Sequence, residues 1–283
     1  MRGHYIGRLR ACLTFPPSRA LTLALLLVLT SAWSASWAAE SRALFQISTI
    51  EALLAGVFEG HATCGELKKH GDFGLGTFEA LDGEMILVDG IVYRADSQGR
   101  TAPVADSLTS PFAAVTFFNP KHVIGPLDAA SLNELTSSLD ATLPSLNYFY
   151  ALRLDGTFAK VLARSVPRQT SPYPTLSEAA KAQTVFELRN VSGTIVGFRC
   201  PFSARGINVP GYHLHFINAD RTVGGHVLDL SFAGLTARLD VKREFVLRLP
   251  ADDGPAADEA GFGGANLGAD RSEELHRVEQ GRN

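Results

Sequence analysis

Three histidines in the stretch GYHLHFINADRTVGGHVLDLSF have the type and spacing to hold a metal ion. In a strand, residues two apart point to one face, so His213 and His215 project together while Leu214 and Phe216 face the other way. The interval from His215 to His226 contains Asn218, Asp220, Gly224 and Gly225, residues of a reversing turn, and a hairpin there returns His226 beside the first pair. Three neutral imidazoles on adjacent strands offer nitrogen donors at the ~2.0–2.1 Å that zinc prefers, and they leave positions open for water or substrate. A lone histidine is usually structural; the set of three is what points to a metal. Zn2+ is the expected cofactor, but imidazoles also serve iron, copper, nickel and manganese, so another divalent metal stays open.

The elements that must position these residues are mostly short strands. Ser48 opens a Ser-x-x-Glu pattern ending at Glu51, and Ile50, Leu53, Leu54 and Val57 follow at helical spacing, which predicts a short amphipathic helix. From Gly74 the segments GTFEAL, EMILV and IVYRA are strand-sized and are separated by Asp82-Gly83 and Asp89-Gly90, which read as hairpin turns. A second helix is expected around Ser131 to Leu139, and further strands at NYFYALRL, TFAKVLARSV and TIVGFRC. The glycines of GDFGLGT lack the lysine and following helix of a phosphate-binding loop, so the segment reads as a strand entry. The prolines and helix formers of QTSPYPTLSEAAKAQ mark a domain boundary near Pro172. The segment after Pro250, rich in Gly, Ala and Asp, has the composition of a disordered tail.

A chain of 283 residues with 46% apolar residues can build a sizeable core, and a net charge of −3 without concentrated basic patches gives no field that would gather nucleic acid or an anionic membrane. A small-molecule partner is the expectation. Arg8, Arg10 and Arg19 precede the apolar run Leu21 to Val28, and small residues follow, with Ser36 and Ala38 placed for a cut after Ala38. Residues 1–38 therefore read as a cleavable signal peptide, which makes the mature chain secreted or periplasmic and free of the membrane; the alternative is an uncleaved anchor, for which the run is shorter than the ~20 residues a span prefers. Only Cys64 and Cys200 lie beyond that segment, and sequence leaves open whether they pair or stay as buried thiols.

Several stretches together resemble the acetolactate decarboxylase family: STIEALLAGVFEG, GDFGLGTFEALDGEMILVDG, SPFAAVTFF, ARSVPRQTSPYPTL and NVPGYHLHFINADRTVGGHVLDL. They run from about Phe45 to Pro250. The resemblance implies an α+β fold of two α/β domains, an N-terminal mixed β-sheet domain over 39–171 and a smaller C-terminal β-rich domain over 172–250 that carries the metal-binding hairpin. It also implies a homodimer, a tail over 251–283 that returns to the active site, and His213, His215 and His226 as the metal ligands. Glu84 in LDGEM and Arg164 in ARSVP are singled out by the resemblance as catalytic, as is a glutamate near the C-terminus; Thr77 and Arg164 are implied to face the substrate. Without the resemblance Glu84 would read as a solvated residue after a turn and Arg164 as a surface cation. For the terminal glutamate Glu279 is favoured, because His276 precedes it by three residues as in the family's closing stretch, with Glu273 and Glu274 as alternatives.

The implied reaction is the decarboxylation of 2-acetolactate to acetoin and carbon dioxide through a metal-stabilised enediolate. Acetolactate carries a carboxylate and a hydroxyl on one carbon and a ketone on the next, so loss of carbon dioxide leaves an electron pair that must spread onto the ketone oxygen, which zinc chelated by hydroxyl and ketone would favour. Two other readings remain: a cupin-like exported metalloenzyme, since those folds also place His-x-His on a strand, and a non-catalytic metal-binding module, which would need no Arg164.

Overall fold

A computed structural model describes residues 43–250 and 269–281; the expected signal peptide and the stretch 251–268 lie outside the described residues. In chain order the elements are β1 (Ala43–Ile47), α1 (Ile50–Leu54), β2 (Ala62–Thr63), α2 (Cys64–Leu67), β3 (Phe73–Thr77), β4 (Glu84–Val88), β5 (Ile91–Ala95), β6 (Thr101–Pro103), β7 (Thr109–Ser110) and β8 (Ala113–Thr116). They continue as β9 (His122–Ala129), α3 (Leu132–Thr142), β10 (Phe149–Ser165), α4 (Leu176–Ala180), β11 (Thr184–Cys200), β12 (Gly211–Asn218), β13 (Gly224–Lys242), β14 (Glu244–Arg248) and α5 (Ala269–Glu279). The protein is thus α+β with sheet predominating.

The strands form a seven-stranded sheet in the order β14-β1-β8-β3-β4-β5-β6 and a five-stranded sheet in the order β10-β11-β12-β13-β9, in which β10 also pairs with β13. Each sheet draws strands from both sides of Pro172, which lies in the connection between the paired strands β10 and β11. Strand alternation sends side chains to two different cores. In β4, Ile86 and Val88 join Phe73, Leu75, Val196, Phe198 and Ile217 in a cluster between the sheets, whereas Met85 and Leu87 join Phe45, Cys64, Leu67 and Phe78 on the far face. In β12, Ile217 faces the seven-stranded sheet, while Leu214 and Phe216 enter a separate core with Leu135 and Leu139 of α3. A fourth cluster gathers α1, α4 and α5.

Local rules account for most boundaries. Asp89 and Gly90 sit at φ 54° and 77° between the paired residues Val88 and Ile91, the two positive-φ positions of a tight hairpin. Ser131 caps α3 by accepting a hydrogen bond from the Glu134 amide. Three sequence expectations shift. The cap of α1 is Thr49, not Ser48: the Thr49 hydroxyl accepts from the Ala52 amide at 3.1 Å, and the five-residue helix is buried on every side rather than amphipathic. The expected strand GTFEAL stops at Thr77, because Glu79–Leu81 form a 3-10 turn with Ala80 and Leu81 at positive φ. NYFYALRL and TFAKVLARSV are one strand, since Asp155-Gly156 stays in register with Thr194 and Gly193 of β11 and the Asp155 carboxylate is taken by Arg153 and Thr194 instead of its own backbone. Cys64 and Cys200 are buried free thiols in different clusters. Among the described residues no helix is long and apolar enough to cross a membrane.

Candidate metal and active site

The period-two rule that fills the space between the sheets also gathers the polar residues at one end of it. His213 and His215 share a face with Ile217 in β12 and so point toward the seven-stranded sheet. Asn218 ties the following turn: its side-chain oxygen accepts from the amides of Thr222 at 2.8 Å and Val223 at 3.0 Å. The return strand pairs His226 directly with His215, and β10 pairs Arg164 with His226 on the other side. Gly224 is needed for this approach, because a Cβ there would stand 2.5 Å from the Phe216 carbonyl oxygen. From the opposite sheet, Thr77 and Glu84 form the last pair of β3 and β4, on the face that carries Leu75 and Ile86 toward the histidines.

The three histidines can each offer a ligand atom within 4.8 Å of the others, and their side chains are buried. His215 Nδ1 lies 2.8 Å from the Met85 carbonyl oxygen; a carbonyl only accepts, so Nδ1 carries the proton and Nε2 presents its lone pair. Burial, with the positive charge of Arg164 added, pushes the His213 pKa down to about 3. Burial likewise holds His215 and His226 well below the ordinary imidazole value, with His213 and Arg164 adding to it at His215 and Arg164, His213 and His215 at His226. All three are therefore neutral donors at pH 7, the protonation state that a metal ligand requires.

Around them stand three ionisable side chains. Glu84 places Oε2 3.7 Å from His215 Nε2 and Oε1 3.9 Å from Arg164 Nη1. Glu279, carried in by α5, places Oε2 3.5 Å from His226 Nε2 and 3.9 Å from His213 Nε2, and its backbone oxygen accepts from His226 Nε2 at 3.0 Å. Burial raises both carboxyl groups to about 7, against the lowering effect of Arg164. Arg164 itself is 4% exposed. Thr77 also borders the site, with its hydroxyl donating to the Gly83 carbonyl at 2.8 Å. The sequence candidates Thr77, Glu84, Arg164, His213, His215, His226 and Glu279 thus come together, whereas Glu273 is exposed on α5 and Glu274 touches none of the histidines.

A cavity of about 40 Å³ opens among these groups, walled on its apolar side by Ile50, Leu53, Phe112 and Leu176. A wider groove of about 1310 Å³ shares His226 and Glu279 with it. The buried atoms His213 Nδ1, His215 Nε2 and Glu279 Oε2 have no hydrogen-bond partner, a cost of roughly 1–3 kcal/mol for each. One nitrogen from each of three buried, neutral imidazoles, with His215 Nε2 among them left without a partner, fits a divalent cation of the zinc type. Sequence reasoning did not find the Met85 carbonyl or the apolar wall. The Met85 side chain points into the far core and gives no sign of what its backbone does, and the wall residues look like ordinary core.

The sequence model of the family described as alpha-acetolactate decarboxylase matches residues 44–257. An alpha-acetolactate decarboxylase of Methanosarcina mazei is 48% identical over 240 residues, covering 85% of this chain and 81% of that protein. One of Bacillus subtilis is 44% identical over 225 residues, covering 79% of this chain and 85% of that protein. A crystal structure of the enzyme from Bacillus subtilis strain 168 superposes with a TM-score of 0.77 at 39% identity, covering 85% of this chain and 99% of that chain.

Proposed function

The chain belongs to the alpha-acetolactate decarboxylase family and is a carboxy-lyase, and from that premise we propose that it converts 2-acetolactate to acetoin and carbon dioxide with a zinc-type ion held by His213, His215 and His226. The observation that carries this reading is the set of three buried, neutral imidazoles beside a buried arginine, the buried Glu84 and the largely covered Glu279. When bound, such an ion supplies a Lewis acid that draws electron density from hydroxyl and ketone oxygens. Arg164 holds the substrate carboxylate, the group that departs, and its planar fork of donors sets the plane of that group. The bond from the carboxylate carbon to its neighbour breaks, carbon dioxide leaves, and the electron pair spreads onto the ketone oxygen. Glu84 or Glu279 then delivers a proton to one face of the resulting enediolate, giving acetoin as one enantiomer; burial keeps a large share of each carboxyl group protonated near neutrality, as a general acid needs. Met85 fixes the His215 ring through its carbonyl, and Ile50, Leu53, Phe112 and Leu176 keep water from the reacting carbon.

Export through residues 1–38 to a secreted or periplasmic location belongs to the same reading, supported by the arginines and the apolar run of that segment, and assembly as a homodimer is supported by the family resemblance. The test is release of carbon dioxide from racemic acetolactate together with chiral analysis of the product. Acetoin of a single hand is expected. Metal-loaded protein that releases no carbon dioxide would instead support a storage or binding role.

A further inference from the structure

Helix α5 brings Glu279 to the histidines, yet eighteen residues separate Pro250 from Ala269 in the sequence, so chain connection alone does not fix where its carboxylate sits. The described part of the helix has one buried face. Leu275 is 6% exposed and Val278 3%, while Glu273, His276 and Arg277 between and beside them are exposed. Leu275, Val278 and Glu279 follow at i, i+3 and i+4, so the two apolar side chains and the carboxylate share that face. Leu275 and Val278 belong to one apolar cluster with Leu53 and Leu54 of α1 and Leu176, Ala179 and Ala180 of α4, and α5 lies directly against α4. Leu53 and Leu176 also wall the cavity, so the seat of the helix and the wall of the site are one surface. Past the helix, Gly281 turns at φ +65° with Leu228 where its side chain would be, at 2.8 Å, and its carbonyl accepts from Gln183 Nε2 at 3.5 Å.

We propose that Leu275 and Val278 are positioning residues for the decarboxylation: they form a two-point clamp that docks the C-terminal helix on α1 and α4 and thereby sets the Glu279 carboxylate against His213 and His226. The inference rests on the function proposed above for its catalytic meaning and on geometry alone for the docking. Docking itself carries a polar cost, because Glu279 Oε2 and His213 Nδ1 are buried in the docked site without hydrogen-bond partners. The clamp, not these polar contacts, supplies the docking energy. Truncating a buried leucine to alanine shifts an equilibrium of this kind by roughly 30-fold to several thousandfold.

The experiment compares the full-length wild type, Leu275→Ala/Val278→Ala and Leu275→Met by amide hydrogen exchange of residues 273–281 and of β12 and β13, and by steady-state decarboxylation. The double variant is expected to lose exchange protection in α5 while β12 and β13 keep theirs, and to drop in kcat at least about tenfold with a smaller change in KM. Leu275→Met, which conserves volume, should restore both readouts to within about threefold of wild type. Unchanged α5 protection in the double variant would overturn the clamp. Equal loss of protection in α5, β12 and β13 would also overturn it, by showing that the two residues serve the whole core. Loss of α5 protection with kcat unchanged would overturn their positioning role in the reaction. If the wild type lacks turnover, the function proposed above fails while the exchange comparison still decides the docking.

Discussion

Arg164 offers the sharpest single perturbation, because its guanidinium is buried and its charge reaches every polar group of the site. At the 3.9 Å that separates Nη1 from Glu84 Oε1, and with an effective dielectric constant near 20, a guanidinium and a carboxylate attract by about 4 kcal/mol. A substrate carboxylate taking a similar place would gain a comparable amount, and the same energy expressed as rate is about three decades. Arg164→Met should therefore lower kcat/KM by on the order of 10²–10³, the smaller figure allowing for the cost of drying the substrate carboxylate. Arg164→Lys keeps the charge but not the planar fork and should fall between the two. Carbon dioxide release over a range of acetolactate concentrations gives kcat/KM, and metal analysis of the same samples shows whether the histidine site survives. Arg164→Met within threefold of wild type, with metal retained, would refute the role given to this residue.

Glu84→Gln keeps the shape of the side chain and removes its exchangeable acid, so it should keep the metal and lose turnover by ~10²–10⁴, read as single-turnover rate; a near-normal rate would leave Glu279 as the proton donor. Deleting the chain after Gly268 should leave the histidine-bound metal in place, sharply reduce acetoin formation, and cost on the order of 3 kcal/mol in urea unfolding, because the buried Leu275 and Val278 leave with the helix. Far from the site, burial works to raise the Asp155 pKa, but hydrogen bonds from Arg153, Arg238 and Thr194 win and hold it below 3.8. A depressed carboxyl pKa gives stability that is present above the unfolded value and is lost as pH falls through the folded one. Asp155→Asn should therefore cost about 1–2 kcal/mol at pH 7, a figure discounted for partial exposure, converge on wild type below pH 4 in urea titrations, and leave turnover unchanged.

What could be read from the sequence was local. His213, His215 and His226 were legible because strand alternation and a turn with Asn218 at its root are set by neighbours in the chain, as were Asp89-Gly90 and the helix beginning near Ser131. Where a local signal had a rival nearby, the rival sometimes won, as Thr49 did over Ser48. Asp155-Gly156 reads as a turn until β11 pairs along it and Arg153 and Thr194 take the carboxylate, and both of those are long-range facts. Glu84 and Arg164 showed nothing in their own neighbourhood that separates a buried site residue from a surface charge. Their places follow from two sheets packing face to face, and only the family resemblance pointed to them beforehand. Composition placed the terminal segment among disordered tails, since Leu275 and Val278 are few among polar residues; the surface they fit is assembled from α1 and α4, more than ninety residues before them.

The central claim is that the three histidines hold one catalytic ion, and metal stoichiometry read beside turnover tests it most directly. Wild type and His215→Ala are stripped with a chelator and titrated with zinc, while bound metal and carbon dioxide release from acetolactate are followed together and circular dichroism reports the fold. One ion per chain should restore wild-type turnover in proportion to occupancy, and His215→Ala should keep its fold but recover neither tight stoichiometric binding nor turnover. Full turnover by the stripped wild type, or stoichiometric zinc in His215→Ala, would contradict the claim.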